Sequence, residues 1–370
     1  MQLLTKPSIG NLLNQRVTKE EALDLYQNTD LLELGELANS IRKKHHPDSK
    51  PVTFIIDRNV NYTNICTTAC RFCAFAFWPG DKRGYVNSYE LIYQKIKELV
   101  DLGGTQVLLQ GGHNPELNIN YYMDLFNKIK NDFPSITLHA LSPSEIDHIC
   151  NVSNLDTKIV LKKLVEAGLG SIPGGGAEIL VDRVRNTISP LKIKSNRWLE
   201  VMEVAHKLGL KTTATMMFGH VETIEERIEH MDKIRQLQDK TNGFTAFISW
   251  PFQKENNAIG KELMNRSNHI SESIDYLRTL AISRIYLDNI VNFQSSWVTQ
   301  GIQIGQIALA FGANDMGGTM LEENVVSAAG TLCKVSIEDI IHAIHKTGRD
   351  AAQRDTQYNV LKIIPLVETW

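Results

Sequence analysis

The sequence lacks any apolar run long enough to cross a membrane, because stretches such as residues 52–56 fall far short of the roughly 20 residues that a bilayer requires. It also lacks an excess of positive charge: 39 Lys and Arg stand against 42 Asp and Glu, for a formal charge of −3. Such a chain has no basic field to hold a nucleic-acid backbone. The N-terminal residues show no secretory signal. We therefore expect a soluble, cytoplasmic protein with neither a nucleic-acid nor a membrane partner.

Cysteine is scarce, and its distribution excludes a disulfide framework. The chain has five cysteines, an odd number, and three of them fall within eight positions. Cys150 and Cys333 stand alone and are expected to be small buried side chains without a functional role.

Short β-branched runs alternate with longer amphipathic stretches from residue 52 onward, which is typical of βα units. The candidate strands are residues 53–57, 105–110, 136–141, 168–172, 211–218, 244–249, 289–294 and 307–312. Eight strands are the number that closes a (β/α)₈ barrel of the TIM type. We predict an α/β protein with an N-terminal helical extension over 1–50, the barrel over 51–330 and a C-terminal helical tail over 331–370 that packs on the barrel.

The segment from Cys66 to Cys73 carries the most specific chemistry. Cys66, Cys70 and Cys73 are spaced C-x₃-C-x₂-C. Three thiolates on one short loop can hold three corners of a cubic iron–sulfur cluster, which leaves the fourth iron open. A non-catalytic electron carrier needs a fourth cysteine, and a structural zinc module needs a fourth Cys or His. Cys150 and Cys333 are distant in sequence, but sequence distance does not exclude them as that ligand. Both alternatives therefore stay open.

This spacing, with Phe72 in the aromatic place, resembles the hallmark of the radical S-adenosylmethionine superfamily. The resemblance implies a 4Fe-4S cluster held by the three cysteines and S-adenosylmethionine bound at the open iron. Reductive cleavage of that cofactor yields a 5′-deoxyadenosyl radical, while the protein supplies position and excludes water.

The resemblance also implies a set of cofactor-binding residues. Glycines after the second predicted strand allow the main chain to approach the methionyl amino group closely. Glu178 resembles the acidic residue that contacts the ribose hydroxyls, and Arg197 resembles the arginine that grips the methionyl carboxylate. The implied set is Phe72, Gly111, Gly112, Ser142, Glu178 and Arg197.

Further stretches are similar to one subgroup of the superfamily. They are residues 57–64, 171–178, 216–223, 247–253, 311–319 and 322–330. They most resemble the cyclic dehypoxanthinyl futalosine synthase family of the futalosine route to menaquinone. Aminofutalosine synthase and a subunit of the deazaflavin-precursor synthase remain alternatives, because they share the cluster, cofactor and barrel and differ in substrate.

In that family, hydrogen is abstracted from the ribose C4′ of dehypoxanthinyl futalosine and the carbon radical attacks the aromatic ring. Loss of an electron, and of a proton to a base, then restores aromaticity. Polar side chains at the ends of the predicted strands are candidates for contacts with this substrate: Asp57, Tyr62, His113, His139, His220, Gln294, Asn314 and Asp315. The predicted catalytic residues are Asp57, Tyr62, His113 and Asp315, of which the two aspartates are the better bases by position.

The same resemblance implies partners. Reduction of the cluster requires an external electron donor such as a flavodoxin or ferredoxin. The sequence also allows a homodimer.

Overall fold

The structure is a computed structural model that describes residues 15–263, 272–330 and 335–367. Its strands are β1 (Val52–Ile55), β2 (Asp57–Asn61), β3 (Gln106–Gln110), β4 (Thr137–Ala140), β5 (Leu169–Ile172), β6 (Lys211–Phe218), β7 (Phe244–Pro251), β8 (Asn292–Gln294), β9 (Asp315–Gly318), β10 (Ala351–Arg354) and β11 (Val360–Ile364). Its helices are α1 (Lys19–Asn28), α2 (Leu31–His45), α3 (Tyr89–Asp101), α4 (Ile119–Asp132), α5 (Pro143–Ser153), α6 (Thr157–Glu166), α7 (Asp182–Ile188), α8 (Ser195–Lys207), α9 (Ile224–Thr241), α10 (Ala258–Leu263), α11 (Glu272–Tyr286), α12 (Trp297–Gln300), α13 (Ile302–Ala308), α14 (Val325–Ala328) and α15 (Ile337–His345).

The predicted TIM-type barrel is confirmed, and a bent strand closes it. β2 pairs with β3, and parallel pairing then runs strand by strand round to β9, which pairs with β1. Only Ile56 separates β1 from β2, so the two form halves of one chain segment. Pairing that starts at Asp57 opposite Gln106 therefore returns to the same segment at Thr53 opposite Asp315. A single apolar core lies between the strands and the surrounding helices.

Seven of the eight predicted strands overlap strands of the barrel, and the eighth is wrong. Residues 307–312 lie at the end of α13 and in the turn that follows it. A short apolar run fits a buried helix end as well as a strand, which explains the error. The eighth position is instead taken by β9, whose Gly318 packs so closely that an added Cβ would lie 2.3 Å from a carboxylate oxygen of Asp57.

The C-terminal tail differs from the helical one that the sequence predicts. After α15 it forms a hairpin in which β10 lies parallel to β1 and β11 pairs antiparallel with β10. The prediction of an all-helical tail is therefore wrong for 351–364, because pairing with a distant strand decides the structure of this segment and local propensity does not. The domain boundaries at 50 and 330 stay predictions, and Cys333 lies outside the described residues.

The described part of the predicted N-terminal extension, residues 15–50, contains the helices α1 and α2. Thr18 and Glu21 form a capping box at the start of α1, and Asp30 caps α2 by accepting a hydrogen bond from the Leu32 amide. The Tyr26 hydroxyl donates to Asp275 of α11 over 2.7 Å, which fastens α1 to the barrel's helical layer. Within the described residues, no helix combines the length and the apolar character that a membrane span needs.

Candidate active site

The three predicted ligand cysteines lie on one loop directly after β2. The Cys66 amide donates to the Phe77 carbonyl over 2.9 Å, and the Cys73 amide donates to the Cys70 carbonyl over 3.1 Å. The Thr68 hydroxyl oxygen lies 3.0 Å from Cys66 Sγ and 3.4 Å from Cys70 Sγ. Burial raises the pKa of the Cys70 thiol to about 11 and also raises that of Cys73. All three thiols are free, so the loop presents them together as unpaired sulfur ligands.

A single metal ion and a cubic cluster make different demands on the thiols that bind them. Among the residues that the structure describes, no group of three or more His, Cys, Asp or Glu is arranged to hold one metal ion. A zinc site draws its ligands onto one centre, whereas a cubic cluster takes each thiolate at a separate iron. Three free thiols on one short loop match the needs of a cubic cluster.

A glycine turn after β3 packs against the cysteine loop. A Cβ on Gly112 would lie 2.1 Å from the Ile65 carbonyl oxygen and 2.8 Å from Cys66 Cβ, so only glycine fits there. The Gly112 amide donates to the Thr63 carbonyl over 3.0 Å, and the His113 carbonyl accepts from the Thr67 amide over 3.2 Å. The turn and the loop therefore form one backbone-bonded unit.

Lys192 is a charged residue of this region that no sequence motif indicated. Its ammonium group lies 2.9 Å from a carboxylate oxygen of Glu178 and 5.5 Å from the centre of the Phe72 ring. Burial raises the pKa of Glu178, but Lys192 and the buried Arg185 outweigh it and hold that pKa below its usual value. The charge on Lys192 also counteracts the effect of burial on the Cys70 thiol. A buried carboxylate and a largely buried ammonium group thus lie beside the cysteine loop.

A cavity of about 290 Å³ occupies the barrel interior. It reaches from Gly175, Gly176 and Glu178 down to the C-terminal hairpin. Its main polar lining is Asp57, Gln106, His139, Gln294, Arg354 and Tyr358. Burial raises the pKa of the Asp57 carboxyl to about 6, although that carboxyl accepts hydrogen bonds from the Met320 amide and the Gln106 side chain. Arg354 and Tyr358 come from a tail that the sequence placed outside the site.

Comparison with known proteins identifies the family. Residues 60–234 match the radical SAM superfamily, and residues 241–366 match the CofH/MqnC C-terminal region. The chain is 49% identical over 351 residues to cyclic dehypoxanthine futalosine synthase of Halalkalibacterium halodurans. The matched region covers 94% of this chain and 92% of that relative. It is 45% identical over 350 residues to the protein of the same name from Streptomyces coelicolor, covering 94% and 86%. The chain belongs to the radical SAM superfamily.

Two further similarities bear on specificity and fold. The chain is 44% identical over 348 residues to 5-amino-6-(D-ribitylamino)uracil–L-tyrosine 4-hydroxyphenyl transferase of Methanococcoides burtonii, covering 93% of this chain and 96% of that relative. Methylornithine synthase has a crystal structure that superimposes with a TM-score of 0.70 at 17% identity, covering 92% and 96%, and this likeness concerns the fold. Membership of the superfamily is therefore established, whereas the names of similar relatives indicate different substrates.

A radical SAM enzyme uses a 4Fe-4S cluster and S-adenosylmethionine, and the residues around the cysteine loop suit both. The free thiols suit the irons, and the glycine turn lies directly against the loop that carries them. When bound, the two groups supply the one-electron chemistry that removes a hydrogen atom from a substrate. The protein's own part is to hold them beside the cavity and to exclude water.

Arg197 lies at the start of α8, where the sequence predicts it, but its side chain contacts outer helices. Its guanidinium donates to Asp147 of α5 over 2.7 Å and to the Thr157 hydroxyl at the start of α6 over 2.7 Å, and it pairs with Glu200. None of these partners belongs to the cysteine loop or lines the cavity. The structure thus uses Arg197 to join outer helices, and the charge beside the cysteine loop is that of Lys192. Sequence spacing does not distinguish the two residues, because Lys192 lies just before α8 and Arg197 lies in its first turn.

Ser142 and Tyr62 have structural partners. Ser142 caps α5 by accepting from the Glu145 amide, and it lies beside the glycines after β5. The Tyr62 hydroxyl donates to Glu145 over 2.7 Å, and the Gly111 amide donates to the same oxygen over 3.0 Å. Tyr62 is fully buried, so it supports the glycine turn from behind and its hydroxyl is already engaged.

Three other candidates are also occupied or neutral. Burial lowers the pKa of His113 well below its usual value, and charge repulsion from Lys192 and His148 lowers it further. The ring is therefore uncharged. His220 lies 2.9 Å from Glu222 and also contacts the Met217 carbonyl. Asp315 accepts two hydrogen bonds from Arg354 and one from Thr53, so it is not a free base.

Proposed function

We propose that this radical SAM enzyme cyclises dehypoxanthinyl futalosine on the route to menaquinone. The observation that carries the proposal is the 49% and 45% identity, over nearly the whole chain, to two relatives named for that reaction. The relative named as a 4-hydroxyphenyl transferase, at 44% identity, supports transfer to a ribitylaminouracil as the second candidate.

The cofactors are assigned to the loop and the residues around it. Cys66, Cys70 and Cys73 hold the cluster, which their position on one loop and their free thiols support. Gly111, Gly112, Ser142 and Phe72 bound the S-adenosylmethionine site. The closeness of the glycine turn to the cysteine loop supports this assignment. Glu178 faces the ribose of that cofactor. Lys192 pairs with the methionyl carboxylate, the role that the family resemblance implied for Arg197. These two side chains are suited to the task because both are charged and lie beside the cysteine loop.

Asp57 is our candidate for the base that accepts the proton lost when the aromatic ring is restored. Its carboxyl lines the cavity, and burial raises its pKa to about 6, which suits a general base near neutral pH. Tyr62, His113 and Asp315 hold this region in shape: Tyr62 and Asp315 through the partners described above, and His113 through its carbonyl, which binds the cysteine loop.

The partners follow from the chemistry. The cluster has to be reduced from outside, so we assign an external donor of the flavodoxin or ferredoxin type. The free thiols of the described cysteines suit a reducing cytoplasm. A homodimer remains part of the proposal and is tested by the mass of the protein in solution.

The test is anaerobic incubation of the reconstituted, reduced enzyme with S-adenosylmethionine and dehypoxanthinyl futalosine, followed by mass analysis. We expect 5′-deoxyadenosine that depends on the substrate, together with a product lighter by two hydrogens. A parallel reaction contains 5-amino-6-(D-ribitylamino)uracil and tyrosine instead. Turnover of that pair alone transfers the assignment to the second candidate, and turnover of neither overturns both.

A further inference from the structure

His139 is a buried side chain of the cavity wall that has not been given a task. It lies on β4 opposite Leu108 of β3, which in turn lies opposite Asn59 of β2. All three line the cavity, so they form one level of its wall, between Asp57 and Gln106 on one side and Gln110 on the other. The imidazole therefore lies on the wall of the space that a substrate would fill.

One nitrogen of the ring lacks the hydrogen-bond partner that a buried polar atom normally has. His139 is only 7% exposed, and its Nδ1 atom is buried without a partner among the described residues. A buried polar atom without a partner is costly and is rare in folded proteins. Nδ1 itself is enclosed by protein, but the ring lines the cavity, so its other nitrogen, Nε2, is the atom that a ligand there can bond.

The charge around the ring defines the ligand group. Burial, with Arg354 adding to it, lowers the pKa of His139 to about 3, so the ring is neutral, with one N–H donor and one acceptor nitrogen. A hydroxyl group also both donates and accepts. A carboxylate fits less well, since Arg354 is already paired with Asp315 and the Asp57 carboxyl lies at the adjoining level.

We propose that His139 binds a ribose hydroxyl of the substrate and thereby sets which sugar-bearing compound the cavity accepts. This assignment rests on the proposed function, which supplies a substrate with a ribose ring. Asn59, on the same level, offers an amide that can bond a neighbouring hydroxyl.

The experiment measures equilibrium binding, with no turnover. Holoenzyme carrying its cluster and S-adenosylmethionine, but no reductant, is titrated with dehypoxanthinyl futalosine, and the fluorescence of Trp250 and Trp297 in the cavity wall reports binding. His139→Phe should weaken binding about three- to tenfold, as expected for one neutral hydrogen bond. His139→Gln, which keeps a donor and an acceptor, should recover most of the loss.

Ser249→Ala provides the matched control. The Ser249 hydroxyl is likewise buried without a partner, but it points away from the cavity, which its neighbours Ile248 and Trp250 line. Its removal should leave substrate affinity unchanged. The cluster absorbance and S-adenosylmethionine affinity of every variant should equal those of the wild type, which separates a lost contact from a disturbed fold.

Analogues that lack the 2- or the 3-hydroxyl of the ribose identify the group bound. For one of them, His139→Phe and wild type should bind equally, because the bond is already missing. Equal affinity of both proteins for the complete substrate, or an equal loss with every analogue, overturns the assignment to His139 alone. If the wild type does not bind dehypoxanthinyl futalosine, the proposed function fails and the assignment fails with it.

Discussion

Arg354 of β10 holds Asp315 of β9 in a two-pronged ion pair, with Nε 2.6 Å from Oδ2 and Nη2 2.9 Å from Oδ1. Both side chains are almost fully buried, at 3% and 0% exposure. Arg354 lines the cavity, so this pair connects the C-terminal hairpin to the barrel at the wall of the site. The hairpin is therefore a part of the active-site region and not an appendage.

Breaking this pair from one side should be costly. Arg354→Met leaves the Asp315 carboxylate buried without its counter-charge, and we expect the free energy of unfolding to fall by about 3–5 kcal/mol. Denaturant unfolding under anaerobic conditions measures the change. The double variant Arg354→Met with Asp315→Leu should be less destabilised than the single one, because no unpaired charge remains. A single variant as stable as the wild type would show that the pair is not formed.

The sequence predicts the barrel well because its signals are local. β6 has the predicted bounds, because the seven residues after Lys211 are all β-branched or apolar. The cysteine loop is equally local, with its three ligands within eight positions. Periodicity and motif spacing therefore suffice for both.

What the sequence does not predict depends on contacts between distant residues. Lys192 meets Glu178 because the chain between them folds back, and Arg354 meets Asp315 because β10 pairs with β1. No motif marks either partner. The same reason explains why Arg197 could be taken for a cofactor ligand although its guanidinium bonds Asp147.

The cysteine loop permits a direct test. Cys70→Ala removes one of three thiolate ligands, so we expect loss of the brown cluster absorbance and of all S-adenosylmethionine cleavage. Visible absorption after anaerobic reconstitution measures the first, and 5′-deoxyadenosine formation the second. Cys150→Ala is the matched control, because that buried thiol lies on α5 beside Thr157 and away from the loop. Retained cleavage in Cys70→Ala would refute the ligand assignment.

Lys192 and Arg197 compete for one role, and paired variants decide between them. Lys192→Met removes the charge beside Cys70 and Glu178, so S-adenosylmethionine affinity should fall about ten- to a hundredfold, as for a hydrogen bond to a charged group. Arg197→Met should leave that affinity unchanged. Equilibrium binding of S-adenosylmethionine to the reconstituted enzyme measures both.

Two observations keep this comparison interpretable. The cluster absorbance of both variants should match the wild type, since neither residue is a ligand. Lys192→Arg should bind better than Lys192→Met, because it restores the charge. If Arg197→Met weakens binding and Lys192→Met does not, the expectation from sequence is right and our reassignment is wrong.

Glu145 gives the protein a pH-dependent stability that a single substitution can isolate. Burial raises its pKa from an ordinary value of 4.5 to about 7, although its carboxylate accepts hydrogen bonds from Ser142, the Gly111 amide and Tyr62. A carboxyl whose pKa is raised by folding stabilises the folded state below its unfolded pKa, and this contribution is lost as the pH rises through the folded value. The loss should therefore fall between about pH 4.5 and 7 and amount to roughly 3 kcal/mol.

Glu145→Gln keeps an oxygen that can accept from the Gly111 amide and the Tyr62 hydroxyl but cannot ionise. Thermal unfolding of both proteins should show the wild type losing stability relative to the variant as the pH rises from 5 to 8. The comparison is needed because Asp57, whose pKa burial raises to about 6, contributes a loss of the same sign to both proteins and cancels in the difference. Parallel curves for the two proteins would mean that Glu145 does not titrate in this range, and the buried network behind the glycine turn would then hold a charged carboxylate throughout.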